Sequence, residues 1–270
     1  MLRFALVGRG VSGSLSPRMY NWFFRARGYR ASYEVVDVDD GLDSIIGMLR
    51  ELDGFNVTIP FKVSIISFLD GVEGAAKHIG AVNTVKAHNG RLIGYNTDHA
   101  GFLYALRLSG NTRYDTALII GAGGASRAAL YALRGLVRRV YIVSRTGHTA
   151  VSLATTALSW GFEYSHGAKR GDSIVNEAVS KSDLIVNASP VGSDGVSVPI
   201  DVGRLEEPCT VIDMVYRPLN TPLLEAAMRA GCTTIDGLWM LAAQASENLK
   251  LWLNADVPPP ELRRAALGDT

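Results

Sequence analysis

One short stretch, residues 116–130 (TALIIGAGGASRAAL), constrains the fold of this chain more than any other. A run of apolar residues typical of a buried strand leads into a turn containing Gly121, Gly123 and Gly124, and a helix-forming segment follows at once. A strand, a glycine-rich turn and a helix in this order form the fingerprint of a dinucleotide site. The first glycine permits the tight turn, and the second lets the backbone approach a pyrophosphate at the positive end of the helix. Ser126 stands where a third glycine or alanine usually packs, so helix and strand must tolerate a slightly larger contact.

The surroundings of this turn favour a nucleotide site over a purely structural strand–helix turn. Strands and helices are predicted to alternate through the following hundred or so residues, which is typical of a parallel sheet with right-handed crossovers. We therefore expect a doubly wound, Rossmann-type domain. The predicted strands cover residues 116–120, 139–144, 162–165, 184–187, 210–213 and 233–235, and the predicted helices cover 125–134, 149–159, 172–180 and 222–230.

The preceding residues have the pattern of a smaller α/β domain. Predicted strands at residues 2–7 and 32–38 flank a helix that runs to about residue 27, with Ser16 as its expected N-cap before Pro17. Asn89-Gly90 is the preferred two-residue turn of a hairpin within residues 83–96. The other expected features are a helix over 43–51, a helix opening at Lys62, a helix capped by Asp98 that reaches about Ser109, a hinge at 110–113 and an amphipathic helix over 238–253.

Composition excludes several classes of protein. The 270 residues correspond to about two domains. The formal net charge of +1 provides no overall field for nucleic acid or an anionic membrane. No apolar run approaches the roughly 18 residues of a membrane span, and the N-terminus has the pattern of a strand rather than of a signal peptide. Cys209 and Cys232 each begin a predicted strand, so we expect buried free thiols, no disulfide framework and a cytoplasmic location.

Several short motifs occur together along the chain. They are Ser14-Leu-Ser-Pro17, Asn56-Val-Thr-Ile-Pro-Phe-Lys62, Ala81-Val-Asn-Thr84, Asn96-Thr-Asp98, Gly121-Ala-Gly-Gly-Ala125, Ser144-Arg-Thr146, Asn187-Ala-Ser-Pro190, Asp213-Met-Val-Tyr216 and Gly237-Leu-Trp-Met-Leu-Ala-Ala-Gln244. In this set and this order the chain resembles the shikimate dehydrogenase family, over nearly its whole length. Gly10-Val-Ser-Gly13 departs from the family, which commonly has a Pro and a His there, and His99 stands where a Gly often follows Asn-Thr-Asp.

The resemblance implies an α/β protein with an N-terminal substrate domain over residues 1–98 and a Rossmann NADP domain over residues 99–236. Residues 237–270 are expected to be helices that pack back on the first domain. The implied activity is the reversible, NADPH-dependent reduction of 3-dehydroshikimate to shikimate in aromatic amino-acid biosynthesis. The partner is then a small molecule, not nucleic acid or membrane, and the chain is expected to be a monomer or homodimer.

Reduction of a ketone needs a proton donor within about 3 Å of the oxygen and a group that holds the donor in place. Lys62 follows a strand, where an ammonium can enter a cleft, and Asp98 begins a helix in the same domain. Taken alone, the lysine has the pattern of a solvated helix start and the aspartate that of an N-cap. By resemblance the two are the catalytic pair, with Lys62 as general acid and base and Asp98 as the group that orients it.

The resemblance also implies the substrate contacts. Ser14 and Ser16 are expected to bind the substrate carboxylate, together with Tyr216 of the second domain, and Thr58, Asn83 and Gln244 to bind ring hydroxyls. The second serine favours shikimate over quinate, because relatives that accept quinate often carry Thr there. Taken locally, Ser16 could equally be a helix cap and Asn83 a turn residue.

Cofactor preference is expected to depend on the end of the second strand of the nucleotide domain. An acid there would bind the NAD ribose and repel a 2′-phosphate. The chain instead has Ser144-Arg145-Thr146, and Arg145 can pair with a phosphate, so we expect NADP. Ser144 and Thr149 replace an Asn and a basic residue of the family, so selectivity over NAD is expected to be modest. The other expected cofactor contacts are Gly121, Ala122, Gly123, Gly124, Ala125, Thr146, Asn187, Ala188, Ser189, Val215, Gly237 and Met240, and no metal is expected.

Three alternatives remain open at this point. The first is a broader quinate/shikimate dehydrogenase. The second is a methylenetetrahydrofolate dehydrogenase, which would need a Tyr-x-x-x-Lys motif, whereas Thr58 stands four residues before Lys62. The third is a non-enzymatic NADP-binding sensor, against which the presence of both Lys62 and Asp98 argues.

Overall fold

The computed structural model describes residues 1–201 and 209–269, which form two compact units. The first unit comprises Met1–Gly101 together with the residues from Leu241 onward, and the second comprises the described part of Phe102–Met240. The glycine-containing segment 110–113, expected as a hinge, therefore lies inside the second unit.

A mixed sheet forms the centre of the first unit. Its described strands are β1 (Leu2–Gly8), β2 (Ala31–Asp37), β3 (Gly54–Val57), β4 (Gly71–Val72), β5 (Thr84–His88) and β6 (Arg91–Tyr95), in the spatial order β2-β1-β3-β5-β6-β4. β1 pairs in parallel with β2 and β3, and β5 pairs antiparallel with β3 and β6. The expected hairpin is confirmed, since His88 faces Arg91 across Asn89 and Gly90.

The helices before residue 110 are α1 (Ser16–Ala26), α2 (Ile46–Leu49), α3 (Ala76–Ile79) and α4 (Asp98–Arg107). Two of the expected starts are wrong. Ser16 is the first residue of α1 and Leu15 is its N-cap, while the Ser16 N–H donates to Ser14 Oγ at 3.2 Å. At α4 the carboxylate of Asp98 accepts hydrogen bonds from the side chains of Lys62 and Asn83 and does not cap the helix. The His99 N–H instead donates to Asn96 Oδ1 at 3.3 Å.

The helix expected over 43–51 is also wrong in its extent. A 3₁₀ turn over Leu42–Ser44 and the four-residue α2 replace it. Adjacent β-branched Ile45 and Ile46, followed by Gly47, have low helix propensity and explain the break. No α-helix opens at Lys62, and the next helical segment is a 3₁₀ turn over Ser64–Phe68.

The second unit confirms the doubly wound parallel sheet. Its described strands are β7 (Tyr114–Ile120), β8 (Val137–Ser144), β9 (Tyr164–Lys169), β10 (Leu184–Asn187), β11 (Thr210–Asp213) and β12 (Thr233–Ile235), and its helices include α5 (Gly124–Ala132), α6 (His148–Ser159), α7 (Ile174–Lys181) and α8 (Pro222–Arg229). The strands are all parallel, in the order β12-β11-β10-β7-β8-β9. The chain leaves β7 toward one edge of the sheet and returns to β10 on the other side. Ligands of such sheets bind outside the carboxyl ends of the strands at this reversal.

The last two helices are α9 (Gly237–Leu253) and α10 (Pro259–Leu267). The first residues of α9 belong to the second unit, and the residues from Leu241 onward, with α10, belong to the first. Near the end of α9, Trp252 stacks on Phe4 of β1 at a centroid distance of 4.8 Å. Its indole N–H donates to the Val85 carbonyl at 3.0 Å. α10 lies against α1, where an Arg18 guanidinium nitrogen donates to the Ala266 carbonyl at 3.1 Å. Among the described helices, none has the length and hydropathy that a membrane span requires.

The two cysteines are joined in a disulfide, so the expectation of free thiols is wrong. Cys209 and Cys232 each precede the first residue of neighbouring parallel strands, and Thr210 is in register with Thr233. This register brings their Cα atoms to 4.9 Å, within the range that a disulfide spans. The two cysteines are 23 positions apart, and the sequence does not indicate that their strands are neighbours or in which register they pair.

Candidate active site

Lys62 and Asp98 form a direct ion pair in the first unit. Lys62 Nζ lies 2.5 Å from Asp98 Oδ2, and the two side chains are 14% and 6% exposed. The Lys62 carbonyl accepts from the Val82 N–H at 2.7 Å, which fixes the backbone beside the lysine. An amine that is largely shielded from water and hydrogen-bonded to a carboxylate is placed to exchange a proton with a bound molecule.

Asn83 connects the carboxylate of this pair to α9. Its amide nitrogen donates to Asp98 Oδ1 at 2.9 Å and lies 3.2 Å from Gln244 Oε1. Its oxygen accepts from the Thr97 N–H at 2.7 Å, and because that backbone group can only donate, the orientation of the amide is determined. Lys62, Asp98, Asn83 and Gln244, four of the predicted site residues, are thus brought together.

The loop that carries Ser14 and leads to Ser16, the first residue of α1, is held by Asp37 at the end of β2. The Asp37 carboxylate accepts the N–H groups of Gly10 and Val11 at 2.8 and 3.1 Å. Ser16 is buried and Ser14 is half-buried. Thr58 lies at the base of this loop, where its methyl group would clash with any side chain placed on Gly8.

The glycine-rich turn of the second unit lies between β7 and α5, at the reversal of strand order. Gly121 has a φ of +118°, and a Cβ on it would lie 2.9 Å from the Ala188 carbonyl oxygen, so only glycine fits. Nothing lies within 4 Å of the position that a Gly123 Cβ would occupy, and α5 has no side-chain cap. The buried Ser126 hydroxyl behind the turn has no partner among the described residues. Open space at a helix N-terminus with free N–H groups fits a pyrophosphate.

The end of β8 carries the residues expected to select the cofactor. Ser144 and Thr146 both hydrogen-bond the Thr149 hydroxyl, at 2.9 and 3.1 Å. Arg145 between them is exposed and forms no ion pair with another described residue. Its guanidinium is therefore available for an anionic group of a ligand.

A buried carboxylate shapes the loops after β10 and β11. Asp213 accepts from Asn187 Nδ2 at 2.8 Å, from the Val215 N–H at 3.0 Å and from the Thr221 hydroxyl at 2.6 Å. Asn187 in turn accepts from the N–H and the hydroxyl of Ser189. Burial raises the pKa of Asp213 above its ordinary value, and these three hydrogen bonds oppose that rise.

The remaining predicted residues of the second unit lie at the start of α9 and after β11. A Cβ on Gly237 would lie 2.7 Å from the Val215 carbonyl oxygen and still closer to Met214, so glycine is required for this contact. Tyr216 is half-buried. Met240 is buried in the hydrophobic core of the unit.

Sequence reasoning missed several side chains that support the predicted ones. They are Asp213, as a structural carboxylate, and the buried polar residues Asn56, Thr84, Thr97 and Asn248. Asn248 is fully buried on α9. The sequence could have indicated its role, because a polar residue there stands at a position of the helix where an apolar residue is expected. Within the described ranges, no group of three His, Cys, Asp or Glu side chains is arranged to hold a metal.

Comparisons with known proteins identify the family. The family model described as "Shikimate dehydrogenase substrate binding domain" matches residues 6–85. A curated shikimate dehydrogenase (NADP(+)) of Aeropyrum pernix is 47% identical over 99% of this chain and 97% of its own length. The chain belongs to the shikimate dehydrogenase family.

Solved structures agree with this membership. Shikimate 5-dehydrogenase from Thermus thermophilus, in complex with NADP(H) and shikimate, is 36% identical, covers 100% of both chains and has a TM-score of 0.87. Quinate dehydrogenase from Corynebacterium glutamicum, in complex with NAD, is 28% identical with 99% coverage of both chains and a TM-score of 0.89. The fold is therefore common to enzymes of the family that are named for different substrates.

The burial of Asp213 leads to a prediction about pH and stability. Because its pKa is raised in the folded chain above the ordinary 3.8, the folded chain binds this proton more tightly than the unfolded chain does. The resulting contribution to the free energy of unfolding is fully present below about pH 4, and it is lost as the pH rises through the folded-state pKa of Asp213. The melting temperature of Asp213→Asn minus that of the native chain should therefore increase as the pH rises from 4 toward 7, because only the native chain loses this contribution. Parallel curves of melting temperature against pH for the two proteins would contradict this account.

Proposed function

We propose that this chain catalyses the reversible reduction of 3-dehydroshikimate to shikimate with NADPH, an oxidation–reduction at a CH–OH group. The proposal follows from family membership and rests on one observation above all, the shielded ion pair between Lys62 and Asp98. The pair provides a proton, and the second unit has the turn of a dinucleotide site. The presence of both members of this pair argues against a sensor without catalytic activity.

In the proposed reaction, NADPH supplies a hydride to the carbonyl carbon when it is bound. The ammonium of Lys62 donates a proton to the oxygen as negative charge develops there, and in the reverse direction the amine accepts that proton. Asp98 holds Nζ in place through Oδ2, while Asn83 holds the carboxylate through Oδ1. Two partners on the two oxygens leave the carboxylate a single orientation, so that the amine is aimed before substrate binds.

The substrate contacts remain predictions. We propose that Ser14 and Ser16 bind the carboxylate with Tyr216, and that Thr58, Asn83 and Gln244 bind ring hydroxyls. In support, Asn83 and Gln244 lie within 3.2 Å of each other and adjoin the Lys62–Asp98 pair. Gln244 Nε2 faces the Leu241 carbonyl at 3.2 Å, so its oxygen faces Asn83 and its second amide hydrogen is available to a ligand.

The cofactor contacts are proposed on similar grounds. The residues 121–125 would hold the pyrophosphate, and Arg145, with Ser144 and Thr146, would hold the 2′-phosphate of NADP. Asn187, Ala188, Ser189, Val215, Gly237 and Met240 are proposed to line the remainder of the cofactor site. The free guanidinium of Arg145 and the lack of an acid at the end of β8 support NADP over NAD. A cytoplasmic location and a monomeric or dimeric state also stay predictions.

The test of this proposal is a spectrophotometric assay of the purified chain with shikimate and quinate, each with NADP and NAD. We expect the highest kcat/KM for shikimate with NADP. A site that hydrogen-bonds the hydroxyls of one ring acid rejects analogues that leave its polar groups unpaired. Comparable efficiency on quinate would instead favour the broader quinate/shikimate activity, and no activity on either acid would favour a sensor.

Replacing Lys62 by Ala should lower kcat by roughly 10²–10⁴-fold, because the proton donor is lost. The fold should persist, since Asp98 keeps its hydrogen bond from Asn83. Lys77→Ala is the matched control, an exposed lysine on α3. Both variants should keep the native circular dichroism spectrum, and near-native turnover of Lys62→Ala would remove the lysine from the mechanism.

Replacing Arg145 by Ala should raise KM for NADP by about tenfold or more, because a charge-assisted phosphate contact is lost, and should change KM for NAD little. The comparison variant is Arg229→Ala, an exposed arginine in the last turn of α8. Michaelis constants for both cofactors at saturating shikimate provide the measurement. An equal rise for NADP and NAD would exclude a 2′-phosphate contact at this position.

A further inference from the structure

A second layer of buried polar side chains lies behind the residues proposed to bind substrate, and Asn248 is at its centre. Asn248 is fully buried on α9, one helical turn beyond Gln244. Its oxygen lies 2.7 Å from the Thr84 hydroxyl and 2.8 Å from the Thr97 hydroxyl. Its amide nitrogen donates to the Tyr20 hydroxyl at 2.7 Å and to Gln244 Oε1 at 3.2 Å. All four hydrogen bonds lie inside the first unit.

The directions of these hydrogen bonds follow from two backbone groups. The Leu241 carbonyl can only accept, so it faces Gln244 Nε2 and turns Gln244 Oε1 toward Asn248. An oxygen in that position needs a donor, so Asn248 presents Nδ2 to Gln244 and Oδ1 to the two threonines. The Thr97 N–H, which can only donate, independently fixes the amide of Asn83 with its nitrogen toward Asp98.

The hydroxyl protons are then assigned as well. Asn248 Oδ1 is the nearest acceptor for both threonine hydroxyls, while Asn83 Oδ1 lies farther away, at 3.1 Å from Thr84 Oγ1 and 3.3 Å from Thr97 Oγ1. With its proton turned to Asn248, Thr97 Oγ1 accepts from Asn83 Nδ2 at 3.0 Å. Each amide and hydroxyl around the ion pair therefore has one arrangement in which donors meet acceptors.

Tyr20 anchors the layer on its far side. Its ring stacks on Tyr33 at a centroid distance of 4.2 Å and packs against Trp252 at 5.7 Å. Burial raises the pKa of the Tyr20 hydroxyl above its ordinary value, so the hydroxyl stays neutral and accepts from Asn248. A rigid aromatic stack thus holds Asn248, and Asn248 holds Gln244 and the two threonines.

We propose that Asn248 is a positioning residue for substrate binding, which holds the Gln244 amide in the orientation that meets a ring hydroxyl of shikimate. The inference rests on the proposed function and adds a residue to it. Without Asn248, Gln244 Oε1 loses a donor, and the hydroxyls of Thr84 and Thr97 turn to Asn83 Oδ1 instead. The Asn83 amide keeps its orientation, because the Thr97 N–H and Asp98 still hold it. The Gln244 amide is held less firmly, and substrate binding must then fix its orientation.

The test is Asn248→Leu, which keeps the approximate volume and removes both polar atoms. We expect KM for shikimate at saturating NADP to rise about tenfold, as for the loss of an oriented hydrogen bond. kcat should fall less than KM rises, because the Lys62–Asp98 pair is untouched, and KM for NADP should stay unchanged. Asn248→Ala is the second variant, to be measured in the same way if Asn248→Leu does not fold.

Two comparisons separate positioning from a merely structural role. In the Gln244→Ala background, Asn248→Leu should change KM for shikimate far less than in the native background, because the group through which it acts is absent. Asp70→Ala is the control, since this carboxylate of the first unit accepts from an Arg50 guanidinium nitrogen and from the Leu92 N–H, both at 2.8 Å, and neither hydrogen bond involves the residues that hold Asn248. It should lower the melting temperature and leave KM for shikimate unchanged.

The outcomes are distinguishable from those of the proposed function. An inactive native chain would overturn the function itself. A native chain active on shikimate, with KM unchanged in the Asn248 variants, would overturn this inference alone. A rise in KM that is equally large in both Gln244 backgrounds would also overturn it, because Asn248 would then not act through Gln244.

Discussion

The structure of the first unit is organised by the need to keep two opposite charges close together and away from water. Removing an ammonium and a carboxylate from water is costly, and their attraction offsets that cost only where the geometry is good and the remaining lone pairs are satisfied. Here Asp98 has a cation on one oxygen and an amide on the other. The amide of Asn83 is fixed by a backbone N–H, so the pair is supported by the main chain and not by side chains alone.

The second unit also depends on a buried carboxylate held by hydrogen bonds, but there the carboxylate fixes the shape of loops and not the position of an amine. A nucleotide site of this fold lies where loops follow β7, β8 and β10, and loops keep their shape only if something buried holds them. Asp213 links the end of β10 to the loop after β11, since it accepts from Asn187, the last residue of β10, and from the Val215 N–H. A carboxylate without direct chemistry is kept in the core because three donors meet it there.

The sequence predicted whatever depends on local pattern. The strands of the second unit were located within a few residues, and the Asn89-Gly90 hairpin was correct, because alternation and turn chemistry are properties of short segments. The expected cap at Ser16 was wrong because the helix begins one residue earlier than expected, with Leu15 as its N-cap and the Ser16 N–H donating to Ser14 Oγ. The disulfide was missed because strand register brings the cysteines together, and no local pattern encodes register between strands 23 residues apart. The contact from Thr84 to Asn248 spans 164 residues, which places it equally beyond a local reading.

The first unit is discontinuous in the chain, since residues from Leu241 onward return to the sheet that begins at Leu2. The return matters for how the protein is made. A ribosome releases the contiguous second unit, which ends at Met240, before it releases the remainder of α9 and α10. That unit can therefore finish folding first, although it lies later in the chain than β1. The surface of Phe4 on which Trp252 stacks stays uncovered until Trp252 has been synthesised. The first unit can therefore complete its packing only after the second unit has been synthesised, whereas N-terminal domains usually fold first.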